Sequence, residues 1–82
     1  MRAAEIQDWL VGFVAALLEV EPAMIDVAMP FEQLGVDSAT TLVLSADLEE
    51  WLGLELSPVE VFRYPTIRSL TERVAAGAPL GV

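Results

Sequence analysis

Ser38 is the side chain of this 82-residue sequence best set up for covalent chemistry. It follows a Gly-containing turn, Gly35-Val36-Asp37, and opens an apolar run that reads as a helix. Asp and Ser are favoured N-cap types, so the plainest role for Ser38 is to close the start of that helix. A self-activated hydrolytic serine is excluded, because the sequence holds neither His nor Lys to take the hydroxyl proton. Another role stays open. A helix start offers free N–H groups and the positive end of the dipole, which suit a phosphodiester anion. A turn also leaves the hydroxyl accessible to a modifying enzyme. The other acid–base candidates are carboxylates. Asp47, Glu49 and Glu50 cluster late in the same helix and read as a solvated exterior. Asp26-Val27-Ala28 lacks the alternating acids and central Gly of a calcium loop.

Composition narrows the field further. There is no Cys, which removes disulfides, thiolate ligands and a thiol nucleophile. The missing His removes the commonest metal ligand, and the missing Lys removes Schiff-base chemistry. Asp and Glu number 13 against 4 basic residues, for a net charge of −9. That sign opposes nucleic acid and anionic membrane surfaces, and it favours proteins with basic patches. No apolar stretch approaches the ~20 residues of a membrane span. Met1-Arg2-Ala3-Ala4-Glu5 leads directly into amphipathic sequence rather than a secretory leader. The expectation is a cytoplasmic monomer with no nucleic acid and no membrane insertion. At 55% hydrophobic residues the chain has enough apolar mass for one small core.

The elements that position Ser38 follow from periodicity. Ile6, Trp9, Leu10, Phe13, Val14, Leu17 and Leu18 share one helical face, and Pro22 limits that helix to about Val20. Glu19 and Glu21 oppose the dipole at its C-terminal end and gain a purpose only at an interface. Residues 22–36 form a long connection whose Met24, Ile25, Val27, Phe31 and Leu34 are too apolar for a solvated linker. The connection is expected to pack on the helices and to end at Gly35 in a conformation other residues resist. A second helix spans 38–52, with Asp37 or Ser38 as N-cap and Gly53 as stop. It carries two apolar stripes. One is Thr41, Leu44, Ser45, Leu48 and Leu52; the nearly opposite one is Ala39, Leu42, Val43 and Ala46. Only one can face the core, so the other needs deeper burial or a partner. Ser57-Pro58-Val59-Glu60 reads as a capping box for a short helix over 58–62, with Val59, Val61 or Phe62 turned inward. Thr66 caps a last helix over 67–76 that buries Ile67, Leu70 and Val74. The fold class is all-α: three main helices and one short helix, with a long packed loop after the first. The domain is residues 1–76, and 77–82 read as a flexible tail or linker.

Three motifs carry a family resemblance. Phe31-Glu32-Gln33-Leu34-Gly35-Val36-Asp37-Ser38 resembles the attachment site of acyl carrier proteins. Leu52-Gly53-Leu54-Glu55-Leu56-Ser57 is similar to that family's turn into its short third helix. Phe62-Arg63-Tyr64-Pro65-Thr66-Ile67 is similar to its Phe-x-x-Pro-Thr-apolar entry into the last helix. The resemblance runs from Ile6 to Val74. It implies that Ser38 takes 4′-phosphopantetheine from coenzyme A, giving an arm whose thiol holds acyl groups as thioesters. It further implies that Gly35 and Asp37 support the motif, Asp37 by presenting the serine to a magnesium-bound phosphopantetheinyl transferase. The partners implied are that transferase, an acyl-activating enzyme or acyltransferase, and a ketosynthase or other synthase domains of polyketide or fatty acid biosynthesis. The chain itself catalyses nothing in this reading.

The departures bear on partners. Ala39 stands where the family usually has Leu or Met, and Thr40 and Val43 replace acids of the fatty-acid type. The docking surface is therefore expected to be apolar near the arm and acidic further along: Asp37, Ala39, Leu42, Val43, Ala46, Glu49 and Glu50. The run from Ser45 to Gly53, with Tyr64-Pro65-Thr66-Ile67, looks like carriers that accompany fatty acyl-AMP ligases. Trp51 within it reads instead as plain core packing. Two other readings remain. One is a peptidyl carrier, against which Gly-Val-Asp-Ser argues. The other is an unmodified acidic interaction module, in which Ser38 is only a cap.

Overall fold

The apolar spacing near the N-terminus produces α1 (Ala3–Leu18) in the computed structural model, which describes residues 2–77. Ile6, Leu10 and Val14 turn to the core and are at most 1% exposed, with Ala15 buried beside them. Leu17 was expected on the same face but is exposed. It sits in the last turn, where the inward packing has passed to Val14, Ala15 and the half-buried Leu18. The helix stops two residues before Val20. Pro22 holds Glu21 extended, and Glu19 takes the left-handed conformation at φ 57°. The Val20 N–H then donates to the Ala15 carbonyl at 3.0 Å, which closes the helix end.

The connection after α1 contains more structure than its sequence suggests. A 3-10 turn spans Pro22–Met24, and a single-turn helix, α2, spans Phe31–Leu34. Phe31 is buried, and Ile25, Val27 and Leu34 pack partly on the core, as expected of an apolar loop. Met24 does not: it is 73% exposed. The segment is tied to the far end of the chain. The Phe31 N–H donates to the Pro65 carbonyl at 2.7 Å, and the Arg68 N–H to the Val27 carbonyl at 3.0 Å. Gly35 ends α2 at φ 107°, where a Cβ would also stand 3.2 Å from Cδ2 of Leu18. Both conformation and space call for glycine there.

α3 (Ser38–Leu52) ends at Gly53, left-handed at φ 72°. α4 (Pro58–Arg63) and α5 (Ile67–Ala75) follow. The long helices α1, α3 and α5 enclose the core, and α4 is the short fourth element. Among the described residues the only β-type pairing is an isolated bridge between Pro30 and Thr66. α5 forms as its pattern predicts. Thr66 and Ser69 cap one another, and Ile67, Leu70 and Val74 are buried. α4 departs from its pattern. The Ser57 hydroxyl accepts from the Val59 N–H, but Glu60 does not reach back to complete a capping box. Its carboxylate turns inward and is 3% exposed. Val61 is the apolar residue that joins the core, while Val59 and Phe62 stay exposed. Gly77 follows α5 in a left-handed turn, and the remainder of the tail expected at 77–82 lies outside the described residues.

Candidate functional site: the start of α3

Asp37, not Ser38, is the N-cap of α3. Its Oδ1 accepts the Thr40 N–H at 2.8 Å. Its carbonyl accepts both the Thr41 N–H and the Thr41 hydroxyl, each at 2.9 Å. The backbone hydrogen bond from Thr40, followed by that residue's side chain, holds the Asp37 carboxyl below its usual 3.8. With capping assigned to Asp37, Ser38 occupies the first helical position. Its side chain is exposed and has no hydrogen-bond partner among the described residues. A serine that only stabilised the helix would be hydrogen-bonded.

Beside Ser38 runs a groove of about 430 Å³. One wall is the end of the long connection, with Pro30, Phe31 and Val36. The other comes from α4 and the residues after it, with Val61, Phe62 and Pro65. The surroundings of Ser38 therefore depend on three separate segments. Gly35 sets the direction in which the chain enters α3, through its left-handed turn against Leu18. Val36, Val61 and Phe62 line the groove with Ser38, a placement that the motifs holding Val36 and Phe62 do not reveal. The apolar pattern of the loop and of α4 marks them as candidates for burial but leaves the facing residue of α4 undetermined.

The two stripes of α3 separate as their azimuths require. Thr41, Leu44, Ser45 and Leu48 are buried. Ala39, Leu42, Val43 and Ala46 are all exposed, Leu42 at 55% and Val43 at 53%. Glu50 is exposed further along. Glu49 differs from the rest of the expected docking set. It is half-buried, and its Oε2 accepts the Leu56 N–H at 2.8 Å, which anchors the turn between α3 and α4. Its carboxylate is a structural acceptor rather than a free surface charge. Trp51 is also not a core residue. It is 37% exposed and stacks on Trp9 at 5.3 Å between ring centroids; Trp9 stacks in turn on Phe13 at 5.4 Å. This aromatic column joins α3 to α1 at the surface.

Charge is unevenly distributed. From Ala3 to Phe62 there is no Lys or Arg, whereas Arg63, Arg68 and Arg73 lie in α4 and α5. The surroundings of Ser38 and the exposed face of α3 are therefore acidic, which attracts a basic protein surface. No described helix is long and apolar enough to cross a membrane.

A phosphodiester-linked arm needs an accessible hydroxyl, a helix start and room alongside. Ser38 offers all three, so the residues fit such a group. Comparison with known proteins agrees. Residues 8–74 match the family model described as the phosphopantetheine attachment site. The chain is 35% identical to the acyl carrier protein TtuC of Teredinibacter turnerae, over 93% of this chain and 87% of that one. It is 33% identical to part of one phenolphthiocerol/phthiocerol polyketide synthase polypeptide of Mycobacterium tuberculosis, again over 93% of this chain, and spans only 4% of that protein's length. Two solved structures superimpose closely. One is Asl1650, an acyl carrier protein from Anabaena with a variant phosphopantetheinylation-site sequence. It gives a TM-score of 0.86 at 40% identity, over 90% of this chain and 84% of that one. The other is a free-standing peptidyl carrier protein from Acinetobacter baumannii, with a TM-score of 0.84 at 36% identity over 92% and 94%. This chain belongs to the phosphopantetheine attachment site family of carrier proteins.

Proposed function

We propose that Ser38 is the attachment residue for 4′-phosphopantetheine and that the chain is an acyl carrier serving polyketide or fatty acid type biosynthesis. One observation carries this reading. Asp37 caps α3, so the Ser38 hydroxyl is exposed and has no partner among the described residues. The bound arm supplies a terminal thiol that holds an acyl group as a thioester. The chain's own residues do the rest, and they do not catalyse. Asp37 keeps the start of α3 formed and its hydroxyl presented. The positive end of the α3 dipole at Ser38 would favour the charge of the phosphodiester. Ala39, Leu42, Val43 and Ala46 give partner enzymes an apolar surface, with Asp37 and Glu50 as its acidic flanks. The tether keeps a substrate at high local concentration at each partner site in turn.

The partners proposed are a phosphopantetheinyl transferase, an acyl-activating enzyme of the fatty acyl-AMP ligase kind or an acyltransferase, and a ketosynthase or related synthase domain. The test is intact-protein mass after incubation with coenzyme A, magnesium and a broad-specificity phosphopantetheinyl transferase. Wild type should gain one phosphopantetheine, and Ser38→Ala should gain none. Equal gain by both would move the attachment site elsewhere. Gain by neither, with the bundle folded, would leave an unmodified acidic interaction module. The likeness to a peptidyl carrier is resolved at the next step: loading of the thiol by fatty acyl rather than aminoacyl adenylates supports the acyl reading.

A further inference from the structure

α4 buries a charge where an apolar side chain was available. Its inward line is Ser57, Glu60, Val61 and Tyr64, at the three-then-four spacing of one helical face. Val59 and Phe62 point outward and are 54% and 58% exposed. A turn of the helix by one residue, about 100°, would bury Phe62 next to Val61 and return the Glu60 carboxylate to water. Apolar burial and carboxylate hydration both favour that alternative. Something specific must therefore hold the observed rotation.

The candidate is an ion pair. Glu60 Oε2 lies 3.5 Å from Nε of Arg73 on α5 and accepts no hydrogen bond among the described residues; Oε1 lies 3.8 Å from Arg63 on α4 itself. The Arg63 contact lies within one helix and moves with it, so it cannot set the rotation. The Arg73 contact crosses to another helix, so it can. Arg73 is in turn seated by the ring of Tyr64, 6.0 Å from its guanidinium, in the residue that ends α4. A buried ion pair adds little net stability over apolar packing, but in some proteins such a pair selects one arrangement over its competitors, and removing one partner leaves the other charge uncompensated. Here the arrangement selected leaves Phe62 on the wall of the groove that also contains Ser38.

We propose that Glu60 and Arg73 are a positioning pair that fixes the rotation of α4 and so presents Phe62 to the pantetheine arm in the Ser38 groove. The second half of this statement rests on Ser38 being the attachment residue; the first does not. The test has two matching parts. In the unmodified protein, the NMR relaxation of the Phe62 ring protons by a neutral gadolinium chelate reports their exposure. Wild type and Arg73→Lys should show strong relaxation, and Arg73→Met and Glu60→Gln should show it reduced by half or more as Phe62 turns in. In the modified protein, cross-relaxation between the Phe62 ring and the geminal methyl groups of the arm should appear in wild type and vanish in Arg73→Met. Unchanged Phe62 relaxation in either neutralised variant overturns the pairing role. So does loss of the whole fold in both variants with recovery in Arg73→Lys, since the pair would then hold the bundle rather than one helix. Absence of ring–methyl cross-relaxation in modified wild type overturns the contact with the arm. Failure of the chain to take up the arm at all refutes the attachment reading instead, and the measurement on unmodified protein still decides the pair.

Discussion

The starts of α3 and α5 use the same kinds of side chain to opposite ends. At the start of α5 both hydroxyls are engaged: Thr66 Oγ1 accepts the Ser69 N–H at 3.0 Å, and Ser69 Oγ accepts the Thr66 N–H at 3.2 Å. The two hydroxyls also bond to each other at 2.8 Å. At α3 the cap is a carboxylate, and the neighbouring hydroxyl of Ser38 is left without a partner among the described residues. A capping box stabilises a helix by satisfying donors reciprocally. A cap that relies on Asp37 alone achieves much of the same and leaves one nucleophilic oxygen unused. The difference separates a helix start whose hydroxyls are spent on stability from one that leaves a hydroxyl accessible.

The sharpest way to break that comparison is Ser38→Ala. Attachment should be abolished, while urea melts stay within about 0.5 kcal/mol of wild type, as for a surface residue without contacts. A large stability loss would mean that Ser38 caps the helix after all. Glu49→Ala should produce the next largest effect, and in stability alone. It leaves the buried Leu56 N–H without an acceptor, which costs about 1–3 kcal/mol by chemical denaturation. Thr66→Ala should cost about 0.5–2 kcal/mol and leave attachment at Ser38 untouched, the converse of Ser38→Ala. Glu50→Lys should change stability by no more than about 0.5 kcal/mol. It should slow loading by the cognate enzyme at low salt, with the difference closing as salt rises. A loading rate insensitive to both the charge and the salt would remove Glu50 from the docking surface.

The smallest effect belongs to pH. The folded Asp37 carboxyl titrates below its usual 3.8 because it accepts the Thr40 N–H. Its contribution is therefore complete above that pH and is lost as pH falls through the lower folded value. A carbon-13 titration of the Asp37 carboxyl should show the depressed midpoint, and Thr40 amide exchange should quicken at the same pH. A midpoint at or above 3.8 would contradict the capping assignment.

Much of this was legible from the chain. The face of α1, the glycine stops at Gly35 and Gly53, the cap at Thr66 and the two stripes of α3 all follow from rules acting within a few residues. Other features were not. Ser57-Pro58-Val59-Glu60 satisfies the capping-box pattern, yet Glu60 serves Arg73 on another helix. Glu49 reads as one of a solvated acidic cluster, yet it accepts a hydrogen bond from a residue seven positions on. Trp51 reads as core, yet it completes an aromatic column on the surface of α1. In each case the local pattern was compatible with several partners, and the partner came from outside the residue's own helix.

The sequence by itself determined α1, α3, α4 and α5, the acidic character and the serine at the head of α3, because propensity, capping and hydrophobic period act over one or two turns. Tertiary structure alone decided which residue caps α3, which face of α4 turns inward, and which side chains form the groove beside Ser38. These depend on where separate segments meet. A carboxylate chooses among competing donors by distance and burial, and those quantities exist only once the chain has packed.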